Sequence, residues 1–111
     1  MDLDIERTAL EVISCIRPLV IAIERFDKDL GKQIRRSSSS VPLNISEGAL
    51  SQGKNRNARF YNAIGSARET RTALEVAQAW GYLETNQLKA PLDAYDKIIA
   101  TLYRLINSPK R

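Results

Sequence analysis

The chain has 111 residues, a length that suits one domain, and 43% of them are hydrophobic. It has no histidine and one cysteine, Cys15, which removes the commonest general base, the commonest transition-metal ligand and any internal disulfide. Lys and Arg outnumber Asp and Glu by 17 to 13, and the excess is uneven, because residues 28–71 hold nine cations and three acids.

Helix 1 is expected over about residues 4–26. Ile5, Ala9, Val12, Ile16, Leu19 and Ile23 recur at steps of four and three, the period of one helical face. Asp2 or Asp4 can cap its first turn. Pro18 removes one backbone bond and predicts a kink near residues 14–17. Cys15 stands at the edge of the apolar face and reads as a small core residue.

Helix 2 is expected over about residues 28–50, with Asp27 as cap. The run Ser37-Ser38-Ser39-Ser40-Val41-Pro42 would normally end a helix, because serine hydroxyls compete for backbone groups and proline lacks a donor. Yet Leu30, Ile34, Val41, Ile45 and Ala49 keep one phase across it. One bent helix is therefore the preferred reading, with two short helices broken near Ser39 as the alternative. Gly48 falls near the end, where helical order should weaken. Arg36, Ser40, Asn44 and Glu47 share a sector of about 80° beside the apolar stripe.

Residues 51–55 are the expected connection, and helix 3 follows over about 55–80, closed by Gly81 as a C-cap glycine. One of its faces carries Phe60, Ala63, Ile64, Ala67 and Leu74. The other carries Ala58, Gly65, Ser66, Ala73, Val76, Ala77 and Trp80. Two apolar faces point to contact outside the protomer, and a homo-oligomer is the simplest choice. The alternative is a helix inserted deeply enough to touch all its neighbours in one bundle. Helix 4 is expected over about 86–107, with Thr85 or Asn86 as cap and Pro91 in its first turns. Leu88, Leu92, Tyr95, Ile99, Leu102 and Ile106 form its seam. Residues 108–111 read as a frayed tail. Short links between four long helices predict an all-α, antiparallel up-down-up-down four-helix bundle.

Two sets of side chains could carry function. Arg36 is expected to pair with Glu69 or Glu47, with Ser40, Asn44 and Ser66 completing a polar network that sets helix register. The competing reading, two catalytic or metal-binding carboxylates at Glu47 and Glu69, lacks any supporting histidine or glycine loop. The second set is basic. Lys54, Arg56 and Arg59 open helix 3 against its dipole, and Arg68, Arg71, Lys32 and Arg35 could extend them into a phosphate-binding strip. A solvated charged turn is the alternative. The aromatic residues lie at core spacing without basic interleaving, so any nucleic-acid contact is expected to be to backbone phosphates. No apolar run approaches the roughly 20 residues that cross a bilayer. The acidic start lacks the basic region of a signal peptide, so a cytoplasmic protein is expected.

Several of these residues carry a family resemblance. The run Gln33-Ile34-x-Arg36, then Ser40-Val41-Pro42-x-Asn44-Ile45-x-Glu47-Gly48, resembles the four-helix-bundle family encoded in intervening sequences of bacterial 23S ribosomal RNA genes. Phe60-Tyr61-Asn62-Ala63-Ile64-Gly65-Ser66-x-x-Glu69 and Gly81-Tyr82-Leu83 continue the match. The resemblance implies a cytosolic bundle that assembles into a ring, commonly a pentamer. Related members resemble the accessory variability protein of diversity-generating retroelements, which partners a reverse transcriptase and binds nucleic acid. The reading adopted from the sequence is a non-catalytic oligomeric accessory protein, without cofactor or metal, that binds RNA or DNA through its basic surface. A protein-only interaction scaffold is the alternative.

Overall fold

A computed structural model describes residues 3–108, with the backbone only at Leu3. The sequence-based cap at Asp2 and the tail at Pro109–Arg111 lie outside the described residues. Four α-helices follow one another: α1 (Leu3–Glu24), α2 (Lys28–Ala49), α3 (Gly53–Ala79) and α4 (Lys89–Asn107). No strand occurs among the described residues. Each helix packs on its neighbours in the chain, and α1 also packs on α4. The four apolar stripes therefore meet in one core.

Ile5, Ala9, Val12, Ile16, Leu19, Val20 and Ile23 of α1 are all buried, and the helix runs through Pro18 without interruption. Pro18 is exposed, so the carbonyl it leaves unbonded can turn to water. Cys15 is an exposed free thiol, not a core residue. It lies roughly 80° around the helix from the buried stripe, just past the edge.

α2 is a single helix through both the serine tract and Pro42. Asp27 caps it, its Oδ1 accepting from the Leu30 N–H at 2.9 Å, as the sequence reading required. Ser38 Oγ donates to the Ile34 carbonyl at 2.6 Å. Its hydroxyl bonds back onto the preceding turn instead of opening it. Ser37 and Ser38 are buried with Leu30, Ile34, Val41 and Ile45.

Gly48 stands one residue before α2 ends at Ala49, near the end as expected, and it is buried there. A Cβ there would come within 2.6 Å of Phe60 Cδ1 on α3. Gly65, in the middle of α3, would find nothing within 4 Å. Gly48 and Gly65 therefore predict opposite outcomes. Gly65→Ala should stabilise the fold by about 0.5–1 kcal/mol through reduced chain entropy. Gly48→Ala should lower stability by about 1–2 kcal/mol, because overpacking costs about 1–3 kcal/mol and outweighs the same gain. Urea denaturation of both variants checks this, and equal shifts would refute the Gly48–Phe60 contact.

α3 starts at Gly53, two residues earlier than expected, with Gly53 at φ +59°. A left-handed first residue lets the chain turn straight out of the 50–52 link into the helix, and glycine adopts that conformation without penalty. The C-terminus of α3 closes on Gly81, at φ +83°. Its N–H donates to the Gln78 carbonyl and the Tyr82 N–H to the Ala77 carbonyl, both at 2.9 Å, which is a Schellman motif. The start of the last segment also differs from expectation. Residues Thr85–Gln87 form one turn of 3-10 helix, and α4 begins only at Lys89. Neither Thr85 nor Asn86 caps it. Glu84 does so for the 3-10 turn, its N–H donating to Gln87 Oε1 at 2.8 Å. Pro91 is buried in the first turn of α4, where no backbone donor is needed.

Candidate functional site

Polar side chains bridge α2 and α3 along one seam. Ser66 Oγ donates to Ser40 Oγ at 2.8 Å, and Asn44 Nδ2 donates to Ser40 Oγ and to the Ser40 carbonyl, each at 2.9 Å. Arg36 Nη2 pairs with Glu69 Oε2. Glu47 stays outside this set: it is exposed and lies on the rim of a groove with Arg36, Leu43, Asn44 and Arg59. The predicted network is two separate sets, because no hydrogen bond joins the Arg36–Glu69 pair to Ser40, Asn44 and Ser66 among the described residues, and the Arg36 and Glu69 side chains are 62% and 36% exposed. Such a pair contributes about 0–1 kcal/mol.

A deeper pair was not singled out in the sequence. Thr70 Oγ1 lies 2.7 Å from Ser37 Oγ and 2.9 Å from the Ser66 carbonyl, and Thr70 and Ser37 are both fully buried. The only signal was the helical phase: Ser37 falls on the stripe of Ile34 and Val41, and Thr70 on that of Ala63 and Ala67. Tyr95 of α4 is buried on the same side, and its hydroxyl has no hydrogen bond of acceptable geometry.

The seven cations proposed as one strip do not form one. Arg35 is held by Glu24 of α1 in a two-pronged pair, Nε to Oε2 at 2.7 Å and Nη2 to Oε1 at 3.0 Å. That hydrogen bond holds the Glu24 carboxyl below its usual range and raises the Arg35 guanidinium. Arg71 pairs with Asp96 of α4, Nε to Oδ1 at 3.1 Å. Arg56 turns inward, its Nη2 donating to the Leu105 carbonyl at 2.7 Å while the guanidinium lies 5.4 Å from the Phe60 ring centroid. It thereby adds a shorter bond to a carbonyl in the last turn of α4 that otherwise accepts from the Ser108 N–H at 3.4 Å. Lys32, Lys54, Arg59 and Arg68 remain exposed, and none forms an ion pair among the described residues. Arg59 faces the α2 groove, whereas Arg68 leans toward α4.

The aromatic residues also depart from core spacing. Phe60 and Tyr95 are buried, but Phe26, Tyr61, Trp80 and Tyr103 are exposed. Phe26 stacks on Tyr82, with centroids 5.0 Å apart and planes 4° apart. Tyr61 and Tyr103 meet edge to face across α3 and α4. The second face of α3 divides too, because Ala73 and Ala77 are buried while Ala58, Gly65, Val76 and Trp80 are exposed. Gly65, Thr72, Ala73 and Val76 line a groove of about 460 Å³ with Leu30 and Gln33 of α2.

Among the described residues, no group of three His, Cys, Asp or Glu is placed to hold a metal ion. No helix there is long and apolar enough to cross a membrane. Fold and surface together define an all-α four-helix protein with polar helix seams, a groove between α2 and α3 that Arg68 and Glu69 also line, and scattered cations without a carboxylate partner among the described residues. The chain belongs to the 23S rRNA-intervening sequence protein family, whose model matches residues 1–104. It is also similar to a solved structure from Bacteroides thetaiotaomicron, a protein with unknown function from the S23 ribosomal protein family. That protein is 24% identical, the match spans 94% of this chain and 99% of the other, and the TM-score is 0.84, a likeness of fold. No curated protein matches the chain.

Proposed function

We propose that this chain is a non-catalytic subunit that assembles with copies of itself as an up-down-up-down bundle and binds a nucleic-acid backbone through a basic edge. The order of contacts supports the topology. Gly48 meets Phe60, Ser40 meets Ser66 and Arg36 meets Glu69, and Arg56 meets Leu105 while Arg71 meets Asp96. Numbers rise along one helix as they fall along the next. The groove beside Gly65 and Val76 supports self-association, because a second helix can approach closely over small residues.

One observation carries the nucleic-acid reading. Residues 54–68 contain four cations and no acid, and Lys54, Arg59 and Arg68 have no carboxylate partner among the described residues. The test is the salt dependence of binding to a 20-base-pair duplex. Each phosphate contact contributes about 0.9 to the slope of log K against log salt. Lys54→Ala and Arg68→Ala together should weaken binding and flatten that slope by about 2, and the triple variant with Arg59→Ala, which faces the α2 groove, should flatten it no less. Arg35→Ala should leave it unchanged, since Arg35 is already neutralised by Glu24. An unchanged slope in the triple variant overturns the assignment. Light scattering tests assembly: several multiples of 12.5 kDa are expected, five by family resemblance, and a clean monomer removes that part.

A second reading, a protein-only scaffold whose partner could be a polypeptide such as a reverse transcriptase, is favoured by the commitment of Arg35, Arg56 and Arg71 to internal contacts. Exposed Leu43 and Leu50 on α2 and its C-cap favour it as well. It prevails if no nucleic acid binds at 50 mM salt.

A further inference from the structure

The edge between α3 and α4 offers aromatic surface as well as charge. Tyr61 and Tyr103 are 52% and 36% exposed. Their centroids lie 6.4 Å apart, with planes at 77°. The Arg68 guanidinium sits 6.0 Å from the Tyr103 centroid, and its Nη2 donates to the Tyr103 hydroxyl at 3.3 Å. One exposed ring is ordinary. Two exposed rings in contact, with a guanidinium held against one of them, form a fixed surface of the kind that stacks nucleobases, because every base presents a π-face and arginine adds a cation–π contact.

Charge favours the same occupant. α3 has no acid from residue 54 to 68, and α4 has none from residue 97 to 108. Contacts from Arg56 to Leu105 and from Arg68 to Tyr103 bring these two stretches side by side. Asp4 of α1 lies on the other flank of α4, in a groove with Lys97 and Arg104. The nearest ion pair, Arg71 with Asp96, is already neutral. Lys54 is two helical turns before Tyr61 on the same face of α3, about 10 Å away along the axis. That is close enough to take a phosphate of a strand whose bases rest on the rings.

We propose that Tyr61, Tyr103 and Arg68 form a stacking platform for bases of single-stranded nucleic acid, with Lys54 contacting its backbone. The proposal rests on the nucleic-acid reading above and narrows it to single strands, because a duplex keeps its base faces within its own stack. The two tyrosines are separated by 42 positions and meet only because α3 and α4 pack together.

The experiment compares the full-length protein's binding to three probes at fixed salt. These are a 15-nucleotide oligo-thymidine, an abasic 15-mer of the same charge, and a 15-base-pair duplex. Oligo-thymidine should bind at least about fivefold tighter than the abasic strand, given stacking worth roughly 1–3 kcal/mol per base. Tyr61→Ala with Tyr103→Ala should remove that preference, whereas Tyr61→Phe with Tyr103→Phe should retain it, with thermal melting confirming that both fold. Equal binding of oligo-thymidine and the abasic strand overturns the platform while leaving the backbone reading intact. So does a preference that survives the alanine pair. Failure of all three probes to bind overturns both.

Discussion

Phe60→Ala is expected to cost about 3–5 kcal/mol, the range for removing a fully buried aromatic ring and leaving a cavity. Phe60 is 0% exposed. On one side Gly48 of α2 packs against it, and on another the Arg56 guanidinium covers its ring. Losing the ring therefore opens the α2–α3 contact and loosens the side chain that bonds to the last turn of α4. A domain of this size has about 5–15 kcal/mol of stability in total, so the variant should melt more than 10 °C lower at matched protein concentration. The contact also predicts a coupling. Gly48→Ala should cost about 1–2 kcal/mol in the native background and nothing once Phe60 is alanine, because the new methyl then fills part of the cavity. A double-mutant cycle in urea measures the difference. Additive losses would show that Gly48 is needed for something other than Phe60.

Alkaline pH should bring the second large loss. Burial pushes the Tyr95 hydroxyl well above its ordinary value, against a smaller opposing effect of the neighbouring Thr70 hydroxyl. The folded state therefore holds this proton to higher pH than the unfolded chain does. The stability that depends on it is complete below about pH 10 and is lost as pH rises toward the folded value. The expected slope is about −1.4 kcal/mol per pH unit above pH 10, or more than 2 kcal/mol by pH 12. Tyr95→Phe should remove that part of the slope. At pH 7 its cost should stay below about 1 kcal/mol, because among the described residues the buried hydroxyl has only Thr70 beside it and makes no well-formed hydrogen bond. A loss above 1 kcal/mol at pH 7 would mean that the hydroxyl has a bonding partner, such as an ordered water.

The helices were legible because each carries its own evidence in the chain. The α1 stripe, the Asp27 cap and the Gly81 terminator act over one or two turns, and local spacing reports them directly. Pro42 and the four serines were correctly overridden by the continuous apolar phase of α2. Boundaries were less clear where a local device was ambiguous: Gly53 extends α3 by two residues, and Glu84 with Gln87 spends one turn as 3-10 helix before α4 begins. The candidate sites were only partly legible. Arg36 meets Glu69, and Ser40 meets Asn44 and Ser66, but no hydrogen bond joins the two sets among the described residues and Glu47 is in neither. Periodicity ranks a position as inward or outward and says nothing of which opposite side chain it meets.

The sequence by itself determined that this is a four-helix all-α chain without histidine chemistry, cationic in its middle, because composition and period-3.6 patterning are properties of the chain alone. The tertiary structure decided which cations are free and which glycines are crowded. Arg35, Arg56 and Arg71 read like Lys54 and Arg68 until Glu24, the Leu105 carbonyl and Asp96 come into reach, and Gly48 reads like Gly65 until Phe60 lies against it. The same packing of α3 on α4 sets Tyr61 beside Tyr103. Ion pairing, steric contact and ring stacking act over a few ångströms between residues tens of positions apart, so these features exist only once the helices have packed.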